Sequence, residues 1–196
     1  VIQVDRSGQN CIIIVSGANK EVGKEQMEEA CQTLEQGDIA LFQNEISNVA
    51  FGIAKAKETG ARVAFNHSPF NEKIAEVDLR NVDYLIVNEV EGMEIAAHSA
   101  PLAEEILKTV HKKYPQLKVL LTLGSKGAYF MDGEKRYFQE AFSVKAVDTT
   151  GAGDTFCGYF LSGVLRGYEP ERILREAAAA SALAVQREGA ACSIPR

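Results

Sequence analysis

An excess of positive charge is missing from this sequence. Its 27 acidic and 21 basic side chains leave a net charge of −6, with no stripe of Lys and Arg. Nucleic-acid binding rests on such a stripe and has no support here. Also missing is any apolar run near the ~20 residues that a membrane-spanning helix needs, and no signal peptide is visible. Cysteine is scarce and scattered: Cys11, Cys31, Cys157 and Cys192 show no metal-type spacing and suit a reducing compartment. There is no internal repeat and no low-complexity segment. What is present, 46% apolar and 24% charged residues in 196, matches a soluble globular protein with one substantial core. A cytoplasmic enzyme is the expectation.

Val1–Asp5 and residues 11–15 are β-rich runs around a turn cluster, Arg6-Ser7-Gly8-Gln9-Asn10, which reads as a hairpin. Beyond Gly17-Ala18-Asn19, helices are expected over 21–34, 48–58, 89–97, 101–112, from about 151 to 165, and over 171–186. Ser47 is the expected cap of the second of these, Gly60 its end, and Pro101 fits a first turn. Strands are expected over 38–42, 62–65, 82–87 and 118–123, with a hairpin of 127–131 and 135–139 around Asp132-Gly133. Strands alternating with helices predict an α/β fold with a mainly parallel sheet, whose ligands bind at the carboxyl ends of the strands. The opening hairpin stands apart as a flap. The chain starts at Val1 inside a strand pattern and stops at Arg196 after Ser193-Ile194-Pro195, so both ends are expected to be cut.

Asp148-Thr149-Thr150-Gly151-Ala152-Gly153-Asp154-Thr155-Phe156 lies between a strand-like segment and an apolar helix. Small residues at a helix start let a ligand approach the backbone, and the first-turn N–H groups lack intrahelical partners. Phosphate is attracted to such an end. Asp154 beside it is placed to accept a proton from a hydroxyl that attacks a γ-phosphate, with the N–H groups of Gly151, Ala152 and Gly153 holding the transferred charge. The plainer alternative is a glycine-rich turn with an early-helix Asp. Thr155 more simply supports the turn. Three further stretches sit at strand ends: Asn88 and Glu91, Thr122-Leu123-Gly124-Ser125-Lys126-Gly127, and Glu45 with Asn66. Each also reads as an ordinary loop or helix start. His67 is expected on the surface.

The nine-residue stretch from Asp148 to Phe156 resembles the second signature of the ribokinase-like carbohydrate kinases, the PfkB family. The resemblance covers nearly the whole chain in order. It implies a three-layer α/β/α fold with a small β-lid, residues 1–16 being partial lid strands and 17–196 a nucleotide-binding and catalytic domain. It implies Asp154 as catalytic base touching the substrate, with Gly151, Ala152 and Gly153 as the anion hole. ATP would lie against Asn88, Thr122, Leu123, Gly124, Ser125, Lys126, Gly127, Gly153 and Ala178, the last standing where some ribokinases carry His or Asn. Asn88-x-x-Glu91 resembles the motif that places Mg²⁺ and phosphate, with Glu91 serving the metal. Asp148, Thr150, Ala184, Arg187, Gly189 and Ser193 match positions that hold K⁺, largely through main-chain carbonyls. Glu45 corresponds to a sugar-contacting Glu. Asn66-His67-Ser68-Pro69 departs from the family's Asn-Pro-Ala-Pro. Gly17-Ala18-Asn19 points to ribokinases within the family rather than to adenosine kinases or fructokinases. The implied reaction is ATP-dependent phosphorylation of ribose to ribose 5-phosphate, with Mg²⁺ and K⁺, by a homodimer paired through its lids. Phosphorylation of 2-dehydro-3-deoxygluconate, fructose or a nucleoside, and a non-catalytic nucleotide binder, are the alternatives. The family's N-terminal third is lacking, so the isolated chain is expected to phosphorylate ribose poorly or not at all.

Overall fold

The short apolar runs of the sequence become strands in the computed structural model, which describes residues 2–4, 10–69, 76–96 and 102–196. The chain divides into two units, one of Ser16–Thr122 and Tyr129–Arg136, the other of Val1–Val15, Leu123–Ala128 and Tyr137–Arg196.

The first unit is built on the sheet. Strands β3 (Ile39–Gln43), β4 (Arg62–Asn66), β5 (Tyr84–Asn88) and β6 (Lys118–Thr122) are neighbours in that order and pair in parallel. The order continues with β7 (Ala128–Asp132) and β8 (Lys135–Gln139), joined by a tight turn at Gly133 (φ 60). Interior strands of a parallel sheet are covered on both faces and so read as continuous apolar runs. Val63, Ala64 and Phe65, then Leu85, Ile86 and Val87, then Val119, Leu120 and Leu121, are all buried. β3 ends the order, and its Leu41 is exposed.

Helices α1 (Lys24–Cys31), α2 (Val49–Glu58), α3 (Glu89–Ala96) and α4 (Ala103–Lys113) complete this unit. The register carries the strands to a shared carboxyl edge, with Gln43 opposite Asn66 and Asn88 opposite Thr122. The helix expected over 21–34 is shorter. Gly17–Glu21 is a 3-10 turn, and α1 starts only after Gly23. Ser47 does not cap α2. Its hydroxyl donates to the Lys20 carbonyl at 2.8 Å, and Asn48 takes the N-cap position in the left-handed region (φ 61). The expected turn over residues 6–9, Pro101 and Phe70 lie outside the described residues.

His67 is a further correction. It is fully buried, its ring edge-on to Phe65 at 5.7 Å between centroids. Burial pushes its pKa down to about 4. The unfolded chain, with an ordinary His, takes up that proton first as the pH falls. The stability contribution is therefore complete above pH 6.5 and lost on descent towards pH 4, by at most about 3 kcal/mol. Urea midpoints should drop between pH 6.5 and 4.5, and His67→Leu should flatten that drop. An equal slope in both proteins would refute the assignment.

In the second unit, β1 (Ile2–Val4) and β2 (Asn10–Ile12) form the expected antiparallel hairpin, Ile2 opposite Ile12. Helix α5 (Ala152–Leu165) packs on α6 (Pro170–Ala184). A Cβ at Gly163 would come within 2.9 Å of Ile173 Cγ1, so the two helices meet at that glycine.

Candidate active site

In the second unit α5 opens where expected. Gly151 is its N-cap at φ 75, a left-handed conformation that glycine adopts without strain. A Cβ there would also press on Ala190, 3.2 Å from its Cβ. Gly153 differs, since nothing lies within 4 Å of the Cβ it lacks. Packing therefore does not explain its small size. Asp154, exposed, stands in the first turn, where the helix dipole favours negative charge. The Ala152 N–H donates to the Thr149 carbonyl at 3.2 Å, and an anion at the turn would compete for it. Thr155 donates its N–H to the Gly151 carbonyl at 2.9 Å. Its hydroxyl is buried without a hydrogen-bond partner among the described residues. A cavity of about 470 Å³ runs along α5, lined by Asp154, Thr155, Tyr159, Ser162 and Arg166.

Behind the turn, Asp148 acts as a brace. One carboxylate oxygen accepts from the Thr150 N–H and the other from the Gly189 N–H, both at 2.9 Å. Hydrogen bonds from the Thr150 side chain and main chain, then from Gly189, hold its carboxyl below the usual range. Gly189 is left-handed at φ 87. Val147 donates to the Val185 carbonyl at 2.7 Å, Arg187 to that of Ala184 at 3.0 Å, and buried Ser193 to that of Ala190 at 2.7 Å through its hydroxyl. The structure thus ties Asp148 and Thr150 to Gly189, shortly after α6 ends at Ala184. Carboxylate and carbonyl oxygens, as found there, are the donors a hard cation prefers. Among the described residues no three His, Cys, Asp or Glu side chains gather as a metal cluster.

Leu123, Gly124, Ser125, Lys126 and Gly127 form a closed loop in the same unit. Leu123 donates to the Gly127 carbonyl at 2.8 Å, and Lys126 donates back to that of Leu123 at 3.1 Å. Gly124 is left-handed (φ 56) in open space. Gly127 has an internal reason to be glycine, because a side chain would overlap the Gln139 carbonyl. Ala178 is buried in α6. Ser181 on that helix donates to the Ala152 carbonyl at 3.1 Å, pinning the start of α5. The sequence carries no sign of that contact.

The first unit holds the remaining candidates at the carboxyl edge of its sheet. Asn88 closes β5, and Thr122, across from it, closes β6. Asn88 and Glu91 bond each other reciprocally: Glu91 N–H donates to Asn88 Oδ1 at 2.9 Å, and Asn88 N–H to Glu91 Oε2 at 3.0 Å. This is a capping box, two helix-start donors satisfied by side chains three residues apart. It buries the Glu91 carboxylate while leaving Asn88 exposed. An oxygen-only carboxylate suits Mg²⁺, directly or through its waters. Glu45, exposed, lies just past the end of β3, and Asn66, buried, ends β4.

The whole chain, residues 1–196, matches the model of the pfkB family carbohydrate kinases. It is 37% identical over 189 residues to a ribokinase of Lactococcus lactis, covering 95% of this chain and 60% of that protein. Among solved structures, a ribokinase from Thermotoga maritima is 36% identical with a TM-score of 0.80, over 99% of this chain and 65% of that one. An Arabidopsis thaliana ribokinase, solved with ribose and ATP, is 33% identical with a TM-score of 0.80, over 99% and 64%. The chain thus spans about 60% of the length of the Lactococcus relative it matches.

Proposed function

This chain belongs to the pfkB family of carbohydrate kinases, and on that premise we propose that its full-length polypeptide transfers the γ-phosphoryl group of ATP to the hydroxymethyl group of a pentose, ribose, giving ribose 5-phosphate. The observation that carries the proposal is the opening of α5, where left-handed Gly151, the open space over Gly153 and the first-turn carboxylate of Asp154 occur together. Asp154 takes the proton of the attacking hydroxyl. The N–H groups of Gly151, Ala152 and Gly153 hold the negative charge on the moving phosphoryl group. ATP lies against Thr122 and the loop from Leu123 to Gly127, with Asn88 and Ala178 as further contacts, and Glu45 holds the sugar. Mg²⁺, when bound, screens the phosphate charges. Glu91 serves that ion. Asp148, Thr150, Ala184, Arg187, Gly189 and Ser193 would hold a K⁺ ion, whose charge would stiffen the turn. The working form is a cytoplasmic homodimer joined through the β1–β2 hairpins.

The test is ADP release with Mg²⁺ and K⁺, offering ribose, deoxyribose, fructose, 2-dehydro-3-deoxygluconate and adenosine. Ribose should be preferred by the full-length polypeptide, and the 196-residue chain alone should turn over little or none. Preference for another acceptor moves the substrate and keeps the mechanism. No release with any acceptor overturns the kinase reading, and robust turnover by the short chain overturns the need for the rest.

A further inference from the structure

The loop that carries Glu45 is fastened at both ends. Its first residue, Asn44, donates its main-chain N–H to the Ser68 carbonyl at 3.1 Å, one residue past Gln43 and two past Asn66, the last paired residues of β3 and β4. The Asn44 side-chain amide adds a second bond, Nδ2 to the Pro69 carbonyl at 2.8 Å. On the far side, Ser47 donates its N–H to the Asn19 carbonyl at 2.9 Å and its hydroxyl to that of Lys20 at 2.8 Å. Asn48 donates to the Val22 carbonyl at 2.6 Å. The segment reached by Asn44 is itself tied down, since His67 donates its N–H to the Ile86 carbonyl on β5 at 3.0 Å.

Glu45 is exposed between these two anchors, and its neighbours, not its own side chain, hold the backbone in place. We propose that Asn44 is a positioning residue for acceptor binding, its side chain holding the Glu45 loop against Ser68-Pro69 so that the carboxylate is ordered before the sugar arrives. The inference rests on the reading of Glu45 as the sugar contact. Ordering a loop beforehand lowers what binding must spend on it, which improves affinity for the ligand met there and leaves other ligands alone. Asn is specific in this place. An aspartate has no N–H to give Pro69, and an alanine leaves only the main-chain bond. The main-chain bond alone lets the loop end pivot, while the pair fixes it.

Losing one neutral hydrogen bond of this kind corresponds to about a fivefold loss of affinity. In the full-length polypeptide, Asn44→Ala should therefore raise the acceptor KM about fivefold, with kcat and the KM for ATP unchanged. Glu45→Ala should raise the acceptor KM further, and Asn44→Ala should add nothing in that background, because coupled residues are non-additive. Amide exchange at positions 44 and 47 should quicken about fivefold in Asn44→Ala, whatever the activity. If Glu45→Ala raises the acceptor KM and Asn44→Ala does not, this inference fails and the kinase reading stands. If Asn44→Ala shifts the KM for ATP equally, or its effect adds in full to that of Glu45→Ala, Asn44 does not act through Glu45. If Glu45→Ala changes nothing, the sugar role of Glu45 falls and the inference falls with it. With no turnover in any variant, unchanged exchange at 44 and 47 overturns it.

Discussion

Asp154→Asn should lower kcat by about 10²–10⁴-fold, the range a positioned general base contributes, with ATP affinity within a few-fold of the parent. Asn is close in size to Asp and keeps the first-turn position, so the geometry of α5 survives the change. Only the proton acceptor is lost. Asp154 is exposed and stands in the first turn of α5, so the substitution buries no polar group. Removing the negative charge also removes its repulsion of the incoming γ-phosphate, so ATP should bind no worse. ADP release under saturating acceptor, paired with ATP titration by calorimetry, separates the two effects. Turnover equal to the parent would remove Asp154 from the chemistry. Equal loss of turnover and of ATP binding would make it a structural residue of the turn.

Gly127→Ala should be the most damaging single methyl in the described chain. Gly127 stands at φ 120 and ψ −148, a region essentially confined to glycine, where another residue costs about 1–3 kcal/mol. The added Cβ would also overlap the Gln139 carbonyl and come within 2.9 Å of Glu140 Cα. Both are main chain and cannot rotate away, so the strand must shift. A total near 3 kcal/mol corresponds to a melting temperature lower by about 6–12 °C for a chain of this size. Gly124→Ala is the control. It too is left-handed, at φ 56, but in open space, so it should lose only the ~1–2 kcal/mol of the backbone conformation. Equal melting temperatures for Gly127→Ala and the parent would show that β8 yields freely.

Much of this could be read from residue order, for identifiable reasons. The runs at 63–65, 84–87 and 119–121 are continuous apolar segments because each is covered on both faces, and that pattern survives in one dimension. The opening of α5 was legible because Gly151 meets a backbone demand at a fixed place in the chain. His67 was misjudged because nothing in its neighbours' order says that the chain folds over it. Ser47 was misjudged because its competing partner, the Lys20 carbonyl, lies 27 residues away in the chain. The short reach of α1 reflects the 3-10 turn before it, a local choice that helical spacing does not register. That Asp148 braces its turn was a plain reading of the residues, but its partner Gly189, 41 residues on, was not.

The reciprocal bonds between Asn88 and Glu91 make the pair a poor subject for an alanine scan. Truncating either one frays the start of α3 as well as removing a side chain proposed to serve ATP or Mg²⁺, so a lost activity would have two indistinguishable origins. Substitutions that keep the cap are the informative ones: Ser or Asp at 88, and Gln at 91, preserve the bonding that organises the helix start while changing what is offered to solvent. The same pairing restricts each position to residues that can complete the cap from their own side.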